Sequence, residues 1–351
     1  MKKVVFHLVI VILFSMIGNF AQASMFNNGR DDCKSFGIQI PGLNGDINPD
    51  NVDQQKCVRG CENWGFFAEF LWVLNHLEWC ERTNKIPVIY WDRRFAYYSS
   101  EGYNGSFNCW EYYFEPVSDL TYEPGDQIYI QNWYNDFTTL CWYGQYIQYL
   151  HLLTPEERAS IKGVHLPYSL ANGGGYPVNR HPYGQEFRRY VKSLLDKYVT
   201  IKPNIQEKID SFYTSMMEGH KVVGLHLRGS FIWNEVNTVP LEALCKEANM
   251  HADESTLFFI ATDQYPLLDQ AQKLLNGKVI YYDCYRQSGT TSPVRSQQWP
   301  PIMGEDVLVE TVLLSLCDHL VHTISNVSTA ALYFNPEQPH TMLYCDGQPS
   351  K

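Results

Sequence analysis

Residues 221–230 read KVVGLHLRGS. Val222, Val223, Gly224 and Leu225 form an apolar run suited to a strand covered on both faces, and His226 and Arg228 arrive as that run ends. Gly229 then lets the chain turn away. Downstream, Leu241 to Ala248 has helical spacing, and Leu257 to Ala261 (LFFIA) is a second buried strand ending in Thr262 and Asp263. Pro266 to Leu275 reads as a helix, Lys278 to Tyr282 as a strand, Glu305 to Cys317 as a helix, His319 to Ile324 as a strand and Thr329 onward as a helix. Strands and helices alternating in this way predict an α/β fold, a parallel sheet with helices on both faces.

Upstream the same alternation is sparser. Gly65 opens a helical stretch from Phe66 to Cys80, ending near Asn84, with strands expected from Ile86 to Trp91 and from Gln127 to Trp133. Between them, Tyr97 to Phe114 is dense in Tyr, Trp, Gly and Asn, a composition suited to a surface loop that holds a polar ligand. Asn172 to Tyr176 carries three successive glycines without dinucleotide-fingerprint spacing. From Gly184 to Glu218 a charged helical pattern is broken at Pro203, which predicts a helix pair bridging two domains. The boundary is placed near Lys202, giving domains 24–202 and 203–351.

Of 351 residues, 45% are hydrophobic and 19% charged, which excludes a disordered tail protein and a coiled coil. Basic side chains number 27 against 38 acidic, a net charge of −11, so a nonspecific nucleic-acid binder is excluded for want of a cationic face. Lys2 and Lys3, the apolar run Val4 to Ile17 and Ala21-Gln22-Ala23 form the pattern of a secretory leader, residues 1–23, either cleaved on export or retained as a membrane anchor. Ten cysteines permit disulfides in an oxidising compartment, although spacing does not reveal their pairing. Cys57 and Cys61 lack the companion pair or histidine spacing of a zinc site, and no metal is expected.

In open parallel sheets ligands collect at the carboxyl ends of strands. That rule singles out His226 and Arg228 after one strand, Asp263 after another, and Thr323, Ser325 and Asn326 after a third. Arg228 can offer a fork of donors to a diphosphate, and the turn at Ser325 leads into a helix whose amino terminus favours phosphate. The order of these features closely resembles the C-terminal domain of the fucosyltransferase superfamily that includes the nodulation-type α1,6-fucosyltransferases and the protein O-fucosyltransferases. The resemblance runs from Lys221 to Phe334. It consists of His226-Leu227-Arg228, then Ala261-Thr262-Asp263, then an acidic helix ahead of the pattern Asp-x-Leu-Val-x-Thr-x-Ser that begins at Asp318. Upstream only Asn63-Trp64-Gly65, before a long helix, is similar.

The resemblance implies a GT-B fold, two Rossmann-like domains with parallel sheets facing a central cleft. It implies GDP-fucose as donor, inversion at the anomeric carbon, an acceptor side in residues 24–202 and a nucleotide-sugar side in residues 203–351. Matched residue by residue, Arg228 holds the diphosphate, His226 lines the same site and Asp263 lies beside the donor. Glu310 takes the place of an acid that contacts guanine, and Thr323, Ser325 and Asn326 approach the phosphates. The sequence departs from the family at Gly229-Ser230, where a second arginine or an acid is common. It departs also at Glu310, where Asp is usual, and at Ser325-Asn326, where Ser-Ser is frequent.

Glycosyl transfer builds charge on the departing diphosphate, so preorganised cations and helix dipoles give the largest benefit. No Asp-x-Asp pair occurs, which removes the commonest carboxylate arrangement for a bridging metal and favours a metal-independent reaction. The acceptor hydroxyl needs a base; Glu235, seven residues past Arg228, is the nearest acid and Asp263 the reserve. Signatures of serine hydrolases, P-loop NTPases and zincins are missing. The alternatives are another donor such as GDP-mannose, or a catalytically silent glycan-binding protein of the same fold. The expected partners are a nucleotide-sugar donor and a glycan or glycoprotein acceptor.

Overall fold

In the computed structural model, which describes residues 56–61, 65–82, 84–126, 128–129, 185–229, 239–288, 300–323 and 325–343, the first layer is built on one long helix. Strand β1 (Lys56–Arg59) leads into α1 (Phe66–Arg82), followed by β2 (Ile86–Ile89) and β3 (Ile128–Tyr129). The strands lie parallel in the order β2-β1-β3, with Lys56 opposite Ile86 and Val58 opposite Ile128. α1 buries Phe66, Phe67, Phe70, Leu71, Leu74 and Leu77, the three-and-four spacing of an amphipathic helix.

The chain next forms α2 (Gln185–Tyr198) and α3 (Pro203–Phe212), the latter ending in a π-turn over Tyr213–Met217. Pro203 sits in the first helical turn, where its missing N–H costs no hydrogen bond. Then come β4 (Val222–His226), α4 (Leu241–Met250), β5 (Leu257–Ala261), α5 (Tyr265–Leu274), β6 (Lys278–Ile280), α6 (Pro301–Ser315), β7 (His319–His322), α7 (Asn326–Phe334) and β8 (His340–Met342). Their five strands are all parallel, in the order β6-β5-β4-β7-β8.

Alternate strand residues serve opposite faces. Val223, Leu225, Leu227, Phe258 and Ile260 pack with Leu244, Cys245, Ala248, Leu268 and Ala271 of α4 and α5. Val222, Phe259 and Ala261 join the larger core with Leu308, Leu313 and Leu314 of α6 and Ala330, Ala331 and Leu332 of α7. Each such side chain, taken fully from water, contributes about 1.5–3 kcal/mol. The expected α/β sheet covered on both faces is therefore what forms. Gly224 has a packing reason: a Cβ there would lie 2.9 Å from Cys317 Sγ, just beyond α6. The larger core also includes α1, and the Phe70 and Phe334 rings stand 5.9 Å apart, so Gln55–Lys351 is one compact unit.

Several expectations need correction. The last long helix begins at Asn326 rather than Thr329, because Ser325 caps it. α6 starts at Pro301, a turn before Glu305. The Tyr97 to Phe114 stretch is not purely a surface loop: Cys109, Trp110, Tyr112, Tyr113 and Phe114 are buried, and Cys109–Tyr112 forms a 3-10 turn capped by Asn108. β1 and β8 were not expected. The leader at 1–23, the turn at Asn63-Trp64, most of the strand expected from Gln127 to Trp133, and the glycines near Asn172 lie outside the described residues. Among the described residues no helix is long and apolar enough to cross a membrane.

Candidate functional site at the strand ends

From β4 the chain adds strands on one side through β5 to β6, then returns to add β7 and β8 on the other. The order therefore reverses between β4 and β7, and open parallel sheets take their ligands at the carboxyl ends of strands flanking such a switch point. The register carries Leu225 opposite Val321, so the residues that leave β4 and those that leave β7 emerge side by side. His226, Leu227, Arg228 and Gly229 come from the first; Thr323, Ser325 and the amino terminus of α7 come from the second.

The two edges are joined by a buried contact, His226 Nδ1 to Ser328 Oγ at 2.8 Å. Burial, helped by the charges of Arg228 and His322, pushes the His226 pKa down to about 3, so the ring is a neutral imidazole. Arg228 is half-buried. Ser325 is the N-cap of α7: the Val327 N–H donates to its Oγ at 3.2 Å, and its carbonyl accepts from the Thr329 hydroxyl at 2.9 Å. Its side-chain oxygen thus serves the helix, and the anion-attracting feature of this turn is the helix terminus itself. Asn326, half-buried, is the first helical residue, and Thr323 is half-buried with its carbonyl 2.9 Å from His322 Nδ1.

Asp263 follows β5, next to β4. The backbone N–H of Gly229 donates to its carboxylate, and a Cβ on Gly229 would lie 2.6 Å from Oδ1. Gly229 is therefore required for close approach. The residue keeps an exposed edge, yet desolvation by the surrounding wall raises its carboxyl pKa, opposed by its own backbone N–H, by the Arg228 charge and by the Gly229 N–H. Burial first, and then the Asp263 charge, lift the Tyr97 phenol to about 12, so one ring of the aromatic stretch senses the charge at the end of β5.

Glu310 sits within α6, 7% exposed, and its Oε1 is held by Arg286 Nη2 at 2.5 Å and by Cys284 Sγ at 3.5 Å. Arg286 also donates to the carbonyls of Tyr282 at 2.9 Å and Cys284 at 3.3 Å. Burial raises the Glu310 pKa to about 8, outweighing the pull of Arg286, with Asp306 and Asp263 adding to the rise. Asp306 is itself lifted to about 6 by burial and by Glu305. Glu310 is thus tied electrostatically to Asp263 but is first of all the partner of Arg286. The sequence did not single out Arg286, which lies in an irregular segment with no periodic signal. His226, Arg228, Asp263, Thr323, Ser325 and Asn326 share the strand-end edge; Glu235 lies outside the described residues.

No family model matches the chain, and no curated protein matches it. Solved structures do resemble it. The NodZ α-1,6-fucosyltransferase soaked with GDP-fucose is 17% identical over 80% of this chain and 92% of that one, with a TM-score of 0.46. The fucosyltransferase NodZ from Bradyrhizobium is 16% identical over 84% and 96%, TM-score 0.46. POFUT1 in complex with GDP is 13% identical over 83% and 99%, TM-score 0.43. At these values the likeness assigns no residue a role.

Proposed function

We propose that the chain is an inverting, metal-independent glycosyltransferase that moves fucose from GDP-fucose to a hydroxyl of a glycan or protein. The observation that carries this reading is the adjacency of the β4 and β7 strand ends. A half-buried guanidinium, Arg228, and the amino terminus of α7 occupy neighbouring strand ends, with the neutral His226 bonded to Ser328 between them. Cation and helix dipole suit a leaving diphosphate, whose negative charge grows as the glycosidic bond breaks.

In this proposal Arg228 binds the diphosphate, and backbone N–H groups at Asn326 complete its seat. His226 stays neutral and positions the Ser328 turn. Asp263 accepts hydrogen bonds beside the donor sugar. The acceptor proton goes to a carboxylate, Glu235 or Asp263, and the oxygen then attacks the anomeric carbon from the face opposite the diphosphate. The Arg286–Glu310 pair supports the guanine side, with Glu310 as the base-contacting acid. Acceptor contacts come from residues 24–202, the donor seat from residues 203–351, and the GT-B cleft lies between them. The chain works after export, free or held by its leader.

Calorimetric titration with GDP, GDP-fucose and UDP tests the reading. GDP-selective binding, lost in Arg228→Ala, supports it. Glycan binding with no nucleotide binding would leave the silent-lectin alternative standing instead.

A further inference from the structure

His76 and Cys80 stand one helical turn apart on α1 and so share a face. Cys57 lies on β1, and the packing of α1 on that strand brings it to them. One Nε2 or Nδ1 and the two Sγ atoms all lie within 4.8 Å of one another, and the residues are buried, at 2%, 0% and 0% exposure for Cys57, His76 and Cys80. Cys80 Sγ is 3.4 Å from His76 Nε2. Tetrahedral zinc, with Zn–S near 2.3 Å and Zn–N near 2.0 Å, sets its donors roughly 3.5–3.8 Å apart. The carbonyl oxygen of Cys57 lies 3.1 Å from the same His76 nitrogen and accepts its hydrogen when no ion is bound.

We propose that Cys57, His76 and Cys80 hold a thiophilic divalent cation, Zn(II), as a structural clamp between β1 and α1. Two thiolates and a neutral imidazole give a centre of zero net charge, which sits in an apolar interior far more cheaply than a bare ion. Binding is proton-coupled and moves no electrons. Each thiol releases its proton to solvent, and the imidazole gives up the Nε2 hydrogen it shares with the Cys57 carbonyl and takes one on Nδ1, so that the Nε2 lone pair faces the ion. The burial of all three ligands leaves no open position for a substrate, so the ion is structural. This centre is separate from the catalytic reading above and does not depend on it. The sequence spacing of Cys57 and Cys61 carries no zinc signature, and Cys61 Sγ faces the Asp92 carbonyl at 3.9 Å.

The test uses the full chain purified without chelators, assayed for metal by elemental analysis and for thiols by denaturing mass spectrometry. The expected result is about one zinc per chain, with Co(II) exchange giving a sulfur-to-metal charge-transfer band. Cys80→Ser should lower metal content at least tenfold, while Cys245→Ser, a buried thiol in α4, should leave it unchanged. Because a core variant can fail to fold, the wild type is also melted with and without a strong chelator, and a fall in Tm is expected. Two results overturn the proposal. One is a chain with all thiols reduced that takes up no added Zn(II) or Co(II). The other is a metal-free chain lighter by two hydrogens, with Cys57 and Cys80 joined in a disulfide.

Discussion

Gly229 and Asp263 meet across the ends of neighbouring strands so closely that no side chain fits between them: a Cβ on Gly229 would come within 2.6 Å of Asp263 Oδ1 and 2.8 Å of Gln264 Nε2. Asp263 keeps an exposed edge and can swing aside, but Gln264 is buried. Gly229→Ala should therefore cost about 1–3 kcal/mol of stability, the range for overpacking. It should also displace the Asp263 carboxylate, and a misplacement of roughly 1 Å costs on the order of 100-fold in turnover. Urea unfolding alongside a donor-turnover assay separates the two effects; normal turnover would remove Asp263 from the chemistry.

Arg228→Ala should keep the fold, since the side chain is only half-buried, and lower kcat/KM by at least ~2 kcal/mol, the scale of a lost transition-state donor. Arg228→Lys retains charge but not the fork, and should recover only part of the loss. Full activity in either variant would contradict a diphosphate contact.

Ser328→Ala removes the partner of His226 Nδ1, which is buried 2.8 Å away. Leaving that ring nitrogen unsatisfied should cost about 1–3 kcal/mol in urea unfolding. Nucleotide affinity should fall with it, because His226 and α7 then lose their link at the strand ends.

Acid should unfold the protein early. Burial lowers the pKa of His226 to about 3 and of His322 to about 4, while a free histidine titrates near 6.5. The unfolded chain therefore takes up protons first. The stability these rings contribute is intact above pH 6.5 and is lost as pH falls from there toward 4 and 3, a few kcal/mol for each ring in order of magnitude. Chemical denaturation at pH 7, 5.5 and 4.5 should show a midpoint falling steadily; a flat profile would mean these rings are solvated.

Arg286→Met strands Glu310 in the interior without its cation. Losing one partner of a buried pair costs about 3–5 kcal/mol. The raised Glu310 pKa gives the sign: protonated, the carboxyl tolerates burial, so the penalty should be smaller at pH 6 than at pH 9. Equal destabilisation at both pH values would show that packing alone was lost.

What could be read from the chain follows from where the physical signal is local. Leu257–Ala261 is apolar throughout because both its faces are covered, and its limits were legible to the residue. β1 (KCVR) and β8 (HTM) are short and half polar, so they have no pattern apart from the neighbours that pair with them. Ser325 follows a strand and caps α7, and the position of a cap at a helix start is a local signal the sequence carries. Rings of the Tyr97 to Phe114 stretch went into the core according to packing, which composition does not encode. Arg286 and Glu310 find each other from an irregular segment and a helix, and Cys57, His76 and Cys80 do so only once α1 lies on β1.

The central position of β4 has a consequence for how the chain matures. Its β5 edge is filled soon after synthesis, but its other edge waits for β7, far along the chain, beyond β6 and the whole of α6. Until the ribosome has delivered that distant segment, a bare apolar ribbon stays open to wrong partners, and such late, nonlocal closure is slow. Chains cut before residue 319 should therefore clump rather than rest as a stable half-sheet, and the nascent protein should lean on holding chaperones until residues 319–322 have emerged.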